Sequence, residues 1–226
     1  MYSHIYKIEY LKRYTMKNTR GRPKILDREK IIEIAIREYW EKGIFNVSLS
    51  KIASLANVAR AGIYKEFGDE DGLKTEVLKK YIEISANPVH KNYDHYKQFP
   101  DQLFNHFNAI LNDGNKNLTN DASYLMIKRP RKAIGCLMER TRLNINLLGP
   151  KAKKLLTSYS NFRKDCFIKY IKNAQISGKF KKNLEVTITA DYILAQFSMI
   201  QNYRLNGYSK NKIEKILNTA LIPLYQ

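Results

Sequence analysis

The side chains able to do chemistry in this sequence fall into three groups: four His, two Cys and a large surplus of Lys and Arg. The histidines stand at 4, 90, 95 and 106. His90 and His95 are five apart, which does not bring them onto one helix face. Cys136 and Cys166 lie 30 residues apart and form no CxxC, so neither a disulfide framework nor a zinc ribbon is indicated. A reducing, cytoplasmic compartment suits them. HExxH, GxSxG, GxGxxG and the GxxxxGK phosphate loop are all missing. The sequence therefore predicts no enzyme, no metal and no cofactor. What remains is cationic hydrogen bonding. Arg20, Arg22 and Lys24 stand in Arg20-Gly21-Arg22-Pro23-Lys24, where Gly and Pro hold the chain extended for a narrow A/T-rich minor groove. Arg60, Tyr64 and Lys65 are suited to phosphates or base edges, beside the slim Ala61 and Gly62 that let a backbone approach DNA.

The elements behind those residues are helical. Asp27 predicts an N-cap for a helix to about Lys42, ended by Gly43, with Ile32, Ala35, Ile36 and Tyr39 on one apolar face. Ser48 caps a shorter helix carrying Leu49, Ile52, Ala53 and Ala56. Asn57, which tolerates positive φ, turns the chain sharply. Val58 plugs the angle, and a third helix runs from about Ala59 to Phe67, burying Ile63 and Phe67. Two short helices joined by a tight turn behind a longer one make a helix-turn-helix, spanning about 48–67.

Charge is unevenly placed. The 40 Lys and Arg against 21 Asp and Glu give +19, a balance favouring polyanionic partners. Residues 1–26 hold seven basic and one acidic side chain, 27–82 ten of each, and 83–226 hold 23 and ten. A Lys-, Asn-, Ile- and Tyr-rich composition also fits an A/T-rich genome, so placement carries the argument. Residues 1–19 lack an apolar period and read as a flexible basic arm, with Met16 a second candidate start. No membrane span is expected, because Val186 to Tyr203 contains Asp191, two Thr and two Gln. Lys7, Glu9, Lys12 and Arg13 interrupt any signal-peptide core.

In order and spacing, Gly21-Arg22-Pro23, Ile31-Ile32-Glu33-Ile34-Ala35, Glu41-Lys42-Gly43, Ser48-Leu49-Ser50-Lys51-Ile52-Ala53, Ala56-Asn57-Val58 and Ile63-Tyr64-Lys65-Glu66-Phe67-Gly68 resemble the N-terminal domain of TetR-family transcriptional regulators. The resemblance covers roughly 20–84. It implies an all-α protein of about nine helices, with a DNA-binding domain at 20–84 and a ligand-binding and dimerisation domain at 85–226. It also implies a double-stranded operator, a small-molecule effector and a homodimer. Ser48 and Lys51 would meet phosphate, and Tyr64 and Lys65 backbone or bases. Ala59 departs from the family's usual Ser or Thr cap, and Gly62, Glu66 and Glu70 depart from its polar or basic residues. The acidic Asp69-Glu70-Asp71 sets negative charge where relatives approach phosphate, which leaves three outcomes open: DNA binding that is weaker, shifted onto the arm, or lost.

Beyond residue 85, Pro100 opens a helix burying Leu103, Phe107 and Ile110, which Asp113-Gly114-Asn115 ends. Gly135-Cys136-Leu137 opens the sixth, and Gly178, Gly207 and Ser209 delimit the last three. An effector pocket is expected between helices five and eight, with Phe104, Phe107, Cys136, Met138, Phe162, Cys166, Tyr170, Phe197 and Met199 as lining and Arg140, Gln196 and Gln201 as orienting groups. Cys136 has two readings, a buried small hydrophobe or a reactive thiol. Ile193, Phe197, Ile200, Ile213, Ile216, Leu217, Ala220 and Leu224 predict a four-helix dimer interface through the last two helices. The alternative is a sequence-tolerant, architectural DNA-binding protein with a degraded recognition surface.

Overall fold

The computed structural model describes residues 26–86, 99–112 and 129–225. The basic arm with Arg20, Arg22 and Lys24, the His90–His95 connector and the Asp113–Asn115 turn lie outside them. Among the described residues there are nine α-helices and no strand, with only an isolated bridge between Phe180 and Tyr225. They are α1 Arg28–Lys42, α2 Leu49–Ala56, α3 Arg60–Phe67, α4 Glu70–Tyr81, α5 Asp101–Leu111, α6 Leu137–Arg142, α7 Pro150–Ile176, α8 Val186–Leu205 and α9 Lys210–Leu221. No described helix is long and apolar enough to cross a membrane.

Local capping explains most boundaries. Asp27 accepts from the Lys30 N–H at 3.0 Å, Ser48 from Lys51 at 3.2 Å and Ser209 from Lys212 at 3.3 Å. Helix α8 begins two residues earlier than its periodicity suggests, because the Glu185 carboxylate accepts from both Thr187 and Ile188. Helix α4 continues into a wider turn, Ile82–Ala86.

Two apolar cores follow. The first joins Ile32, Ile36, Ile52, Ile63 and Leu73 of the first four helices to Leu137, Met138, Ala152 and Leu156 of α6 and α7. The second gathers Leu103, Phe107, Phe167, Tyr170, Phe180, Phe197 and Ile213. At 1.5 Å per residue, α7 is about 40 Å long and serves both. The apolar residues expected at a dimer interface are a correction. Ile193, Phe197, Ile200, Ile213, Leu217 and Leu224 are buried within the second core of a single chain. Their stripe faces α5 and α7, while Ile188 and Ile222 stay 66% and 68% exposed.

A charged network spans three of these helices. Glu139 on α6, 1% exposed, pairs with Arg163 on α7. Ser198 on α8 donates to its other oxygen at 3.0 Å, with Arg142 Nε 3.4 Å from the same atom. Arg163 also lies 5.2 Å from the Phe197 ring centre. Burial alone would raise the Glu139 pKa, but Arg163 and Arg142 outweigh it and hold the carboxyl below its ordinary 4.5. Glu139→Gln leaves a buried guanidinium without its counter-charge, so urea unfolding should show a loss of about 3–5 kcal/mol. A carboxyl depressed by folding stabilises above its unfolded pKa, and that contribution disappears as pH falls through the lower folded value. Wild-type stability should therefore decline below about pH 4.5, and the variant should lack that part of the decline.

Candidate nucleic-acid interface

The turn between α2 and α3 rests on one residue. Asn57 sits at φ 54° and ψ 46°, the only non-Gly residue with positive φ among those described. From there the Val58 N–H returns to the Ala53 carbonyl at 3.1 Å, and Val58 packs half-buried on the first core. Helix α3 then starts at Arg60 without a side-chain cap at Ala59. Ile63 and Phe67 anchor it inward.

Its other face is open. Ala61, Tyr64 and Lys65 are exposed, as are Ser48 and Lys51 on the preceding unit. Arg60 donates to the Tyr64 hydroxyl at 2.8 Å, with its guanidinium carbon 5.3 Å from the ring centre. One turn of helix thus holds a cation and an aromatic together. Gly62 is half-buried and has a different reason to be small: a Cβ there would stand 3.1 Å from Leu26 Cδ1. The chain just after the basic Arg20–Lys24 stretch therefore passes over the start of α3.

The acidic residues around α3 are engaged elsewhere. Arg28 contacts both Glu66, at 3.0 Å, and Glu76. Glu70 pairs with Lys74 at 2.8 Å, and Asp69 with Lys151 at 3.1 Å. Asp71 accepts from the backbone N–H groups of Lys151 and Ala152. Asp69 also caps α4 through the Gly72 N–H, and that bond and Lys151 hold its carboxyl below the ordinary carboxylate value.

Comparison with known proteins agrees with this geometry. Residues 31–77 match the family model described as bacterial regulatory proteins, tetR family. The chain is 23% identical over 210 residues to the HTH-type transcriptional repressor ComR of Escherichia coli K12, covering 91% of this chain and 92% of that one. Residues 31–77 thus form a DNA-binding unit of the tetR type, and along most of its length the chain is similar to transcriptional regulators of that kind. The same fold occurs in a transcriptional regulator from Saccharomonospora viridis in complex with choline, with TM-score 0.67, 17% identity and coverage of 88% and 97%. It occurs again in a cysteine mutant of the TetR-family regulator CifR bound to 26-bp operator DNA, with TM-score 0.65, 15% identity and coverage of 90% and 100%.

The residues expected around an effector divide. Phe104, Phe107, Cys166, Tyr170, Phe197 and Met199 belong to the second core or pack against it. Gln196 is buried and donates to the Tyr192 carbonyl at 3.0 Å. Cys136 and Met138 belong with the first core instead. Burial, followed by the Glu139 charge, pushes the Cys136 thiol above its ordinary value, and the Tyr81 hydroxyl lies 3.6 Å from its sulfur. A thiol held protonated is a poor nucleophile, which supports the packing reading. Gln201 accepts from the Cys136 N–H at 2.9 Å and so ties α8 to the start of α6.

Two candidates leave the group. Phe162 is 48% exposed, on the side of α7 away from the core. Arg140 reaches α1, donating to the carbonyls of Trp40, Glu41 and Lys42 at 3.4, 3.2 and 3.0 Å. Arg129 is likewise used internally: it lies 4.9 Å over Trp40 and donates to the Gly135 carbonyl. None of these long-range partners has a local signal. For the turn itself, Asn57→Ala should cost about 1 kcal/mol and Asn57→Gly much less, because only the former strains a left-handed backbone. Thermal melts of the two variants check this.

Proposed function

We propose that this chain is a dimeric, ligand-responsive repressor that binds a palindromic operator and is released by a small-molecule effector. The observation that carries the reading is the α2–α3 unit: a left-handed Asn57 turn followed by a slim, exposed α3 bearing Arg60, Tyr64 and Lys65. Ser48 and Lys51 would fix the register on phosphates, while Arg60, Ala61, Tyr64 and Lys65 would meet base edges or backbone; Gly62, under Leu26, would not reach the DNA. Arg20, Arg22 and Lys24 would follow the minor groove, a role consistent with Leu26 lying on Gly62.

On this reading 20–84 is the DNA-binding domain, with the basic stretch 1–19 before it, and 85–226 the effector and dimerisation domain of a cytoplasmic protein. The outward stripe Ile188, Tyr192 and Ala195, spaced i, i+4, i+7 on α8, supports pairing with a second copy through the last two helices. The Tyr192 hydroxyl, donating to the Ala220 carbonyl, keeps α8 and α9 together on that side. The effector region would be lined by Phe104, Phe107, Cys166, Tyr170, Gln196 and Met199. That a similar fold holds choline supports small-molecule control.

Footprinting over the protein's own promoter region should protect a palindrome whose half-sites lie about 34–36 Å apart or a multiple of that. No protected palindrome would refute the reading. Deleting 1–24 should weaken binding and lower the salt slope by roughly 0.9 for each phosphate the arm no longer neutralises. An unchanged slope and affinity would remove the arm from the interface. Arg60→Ala should cost about 1–3 kcal/mol on the operator while leaving random duplex almost unaffected, as read in a competition assay.

A further inference from the structure

Two helix ends at the junction of the domains are finished by side chains from the opposite domain. Helix α7 opens on Gly149-Pro150, so its own N-cap position carries no side chain. The groups that an N-cap carboxylate would satisfy are the N–H of the second and third helical residues. Here those are Lys151 and Ala152, and both donate to Asp71 of the DNA-binding domain, at 2.8 and 3.2 Å, across 80 residues of sequence. A Cβ at position 149 would stand 2.3 Å from Asp71 Cγ, so Gly149 makes room for the contact. Lys151 adds an ion pair with Asp69.

The reverse occurs at the C-terminal end of α1. There Arg140 of α6 donates to the last three carbonyls of the helix, Trp40, Glu41 and Lys42. Gly43 follows at φ 95°, and a Cβ there would come within 3.1 Å of Arg140 Nη2. A carboxylate thus meets the positive end of one helix and a guanidinium the negative end of another, as both dipoles favour. The first apolar core also crosses this junction, but apolar burial is non-directional and permits sliding of α4 on α7. Hydrogen bonds to helix ends are satisfied in one register only.

We propose that Asp71 and Arg140 are positioning residues for DNA recognition: reciprocal helix-end caps that fix the angle of the helix-turn-helix on the C-terminal domain. The angle sets the separation of the two recognition helices, so this consequence rests on the dimeric operator reading above. Arg140 stands beside Glu139 on a six-residue helix, so a shift of the Glu139–Arg163 pair is felt directly at the cap on α1.

The test must separate positioning from plain helix stabilisation. Asp71→Gly combined with Gly149→Asp gives α7 a local cap in place of the interdomain one and leaves no Cβ at 71 for the new side chain to meet, and Arg140→Ala removes the cap on α1. Trp40 is the chain's single tryptophan and is buried at this junction, its indole N–H donating to the Gly135 carbonyl at 2.9 Å. In the D71G/G149D and R140A proteins, acrylamide quenching of Trp40 should rise severalfold while far-UV circular dichroism is unchanged. D71G/G149D should melt above D71G alone, since only the double variant restores a cap to α7. Operators whose half-site spacing varies one base pair at a time should show a single sharp optimum for wild type. The variants should show a broadened profile with about tenfold weaker binding at that optimum, and the same affinity for random duplex.

Unchanged quenching in folded variants overturns the proposal, as does a spacing profile identical to wild type. A wild-type protein with no preferred spacing refutes the operator reading instead, and Trp40 quenching then decides the interdomain contact by itself. Should R140A fail to fold, Arg140→Lys keeps the charge but loses the fork that reaches three carbonyls, and is expected to show the same quenching and spacing changes in weaker form.

Discussion

Burying the Glu139 carboxylate obliges three helices to meet in one arrangement. An ionised carboxylate out of water is tolerated only where cations and donors surround it. Arg163 comes from α7, Ser198 from α8 and Arg142 from the far end of α6. Neither arginine can withdraw without weakening the charge balance, nor Ser198 without leaving a carboxylate oxygen short of a donor, whereas a sliding Leu would merely find another apolar neighbour. The network lies where the two cores adjoin: Leu137 and Met138, just before Glu139, belong to the first, and Phe197, under the Arg163 guanidinium, to the second. It therefore fixes the register of the C-terminal helices relative to everything the first core holds.

Helix α6 shows how far that constraint reaches. Six residues are far too few for a helix to persist by itself. It exists because nearly every position is tied. Leu137 accepts the Thr141 hydroxyl on its carbonyl and donates its N–H to Tyr81, while Gln201 takes the Cys136 N–H. Glu139 holds the network on one side, and Arg140 and Arg142 extend to α1 and to Ser160 and Ser198. A short element so thoroughly bonded behaves as a rigid connector between the α7–α8 region and the DNA-binding unit.

What the sequence discloses about this molecule divides by range. Asp27, Ser48, Asn57, Gly178 and Ser209 mark their boundaries correctly, because a cap or left-handed turn is decided within three or four residues. The helix-turn-helix is legible for the same reason. The roles of Arg140, Asp71 and Gln201 are not, since their partners lie 65 to 100 residues away. Periodicity also fails in one instructive way: it finds the apolar face of α8 and α9 without saying whose atoms cover it. Ile193, Phe197 and Ile213 are covered by this chain's own aromatic core, leaving Ile188 and Tyr192 on the opposite side for any partner.

The same distinction revises the electrostatics of the DNA-facing unit. Ten basic and ten acidic residues between 27 and 82 cancel on paper. In space they segregate. Glu66 is met from behind by Arg28, while Asp69 and Asp71 turn toward the N-terminus of α7. Among the described residues no ion pair engages Lys51, Arg60 or Lys65, and these are exposed. With screening over roughly 8 Å at physiological salt, a phosphate approaching α3 responds to those cations far more than to carboxylates neutralised at the domain junction. Contact with DNA is thus compatible with a neutral count, and the acidic triplet has a structural reason to be there. Arg60, already held against Tyr64, also loses less rotameric freedom on docking than a free arginine would. Local order on α3 and long-range order at the junction therefore act on the same quantity, the cost of presenting α3 in one pose.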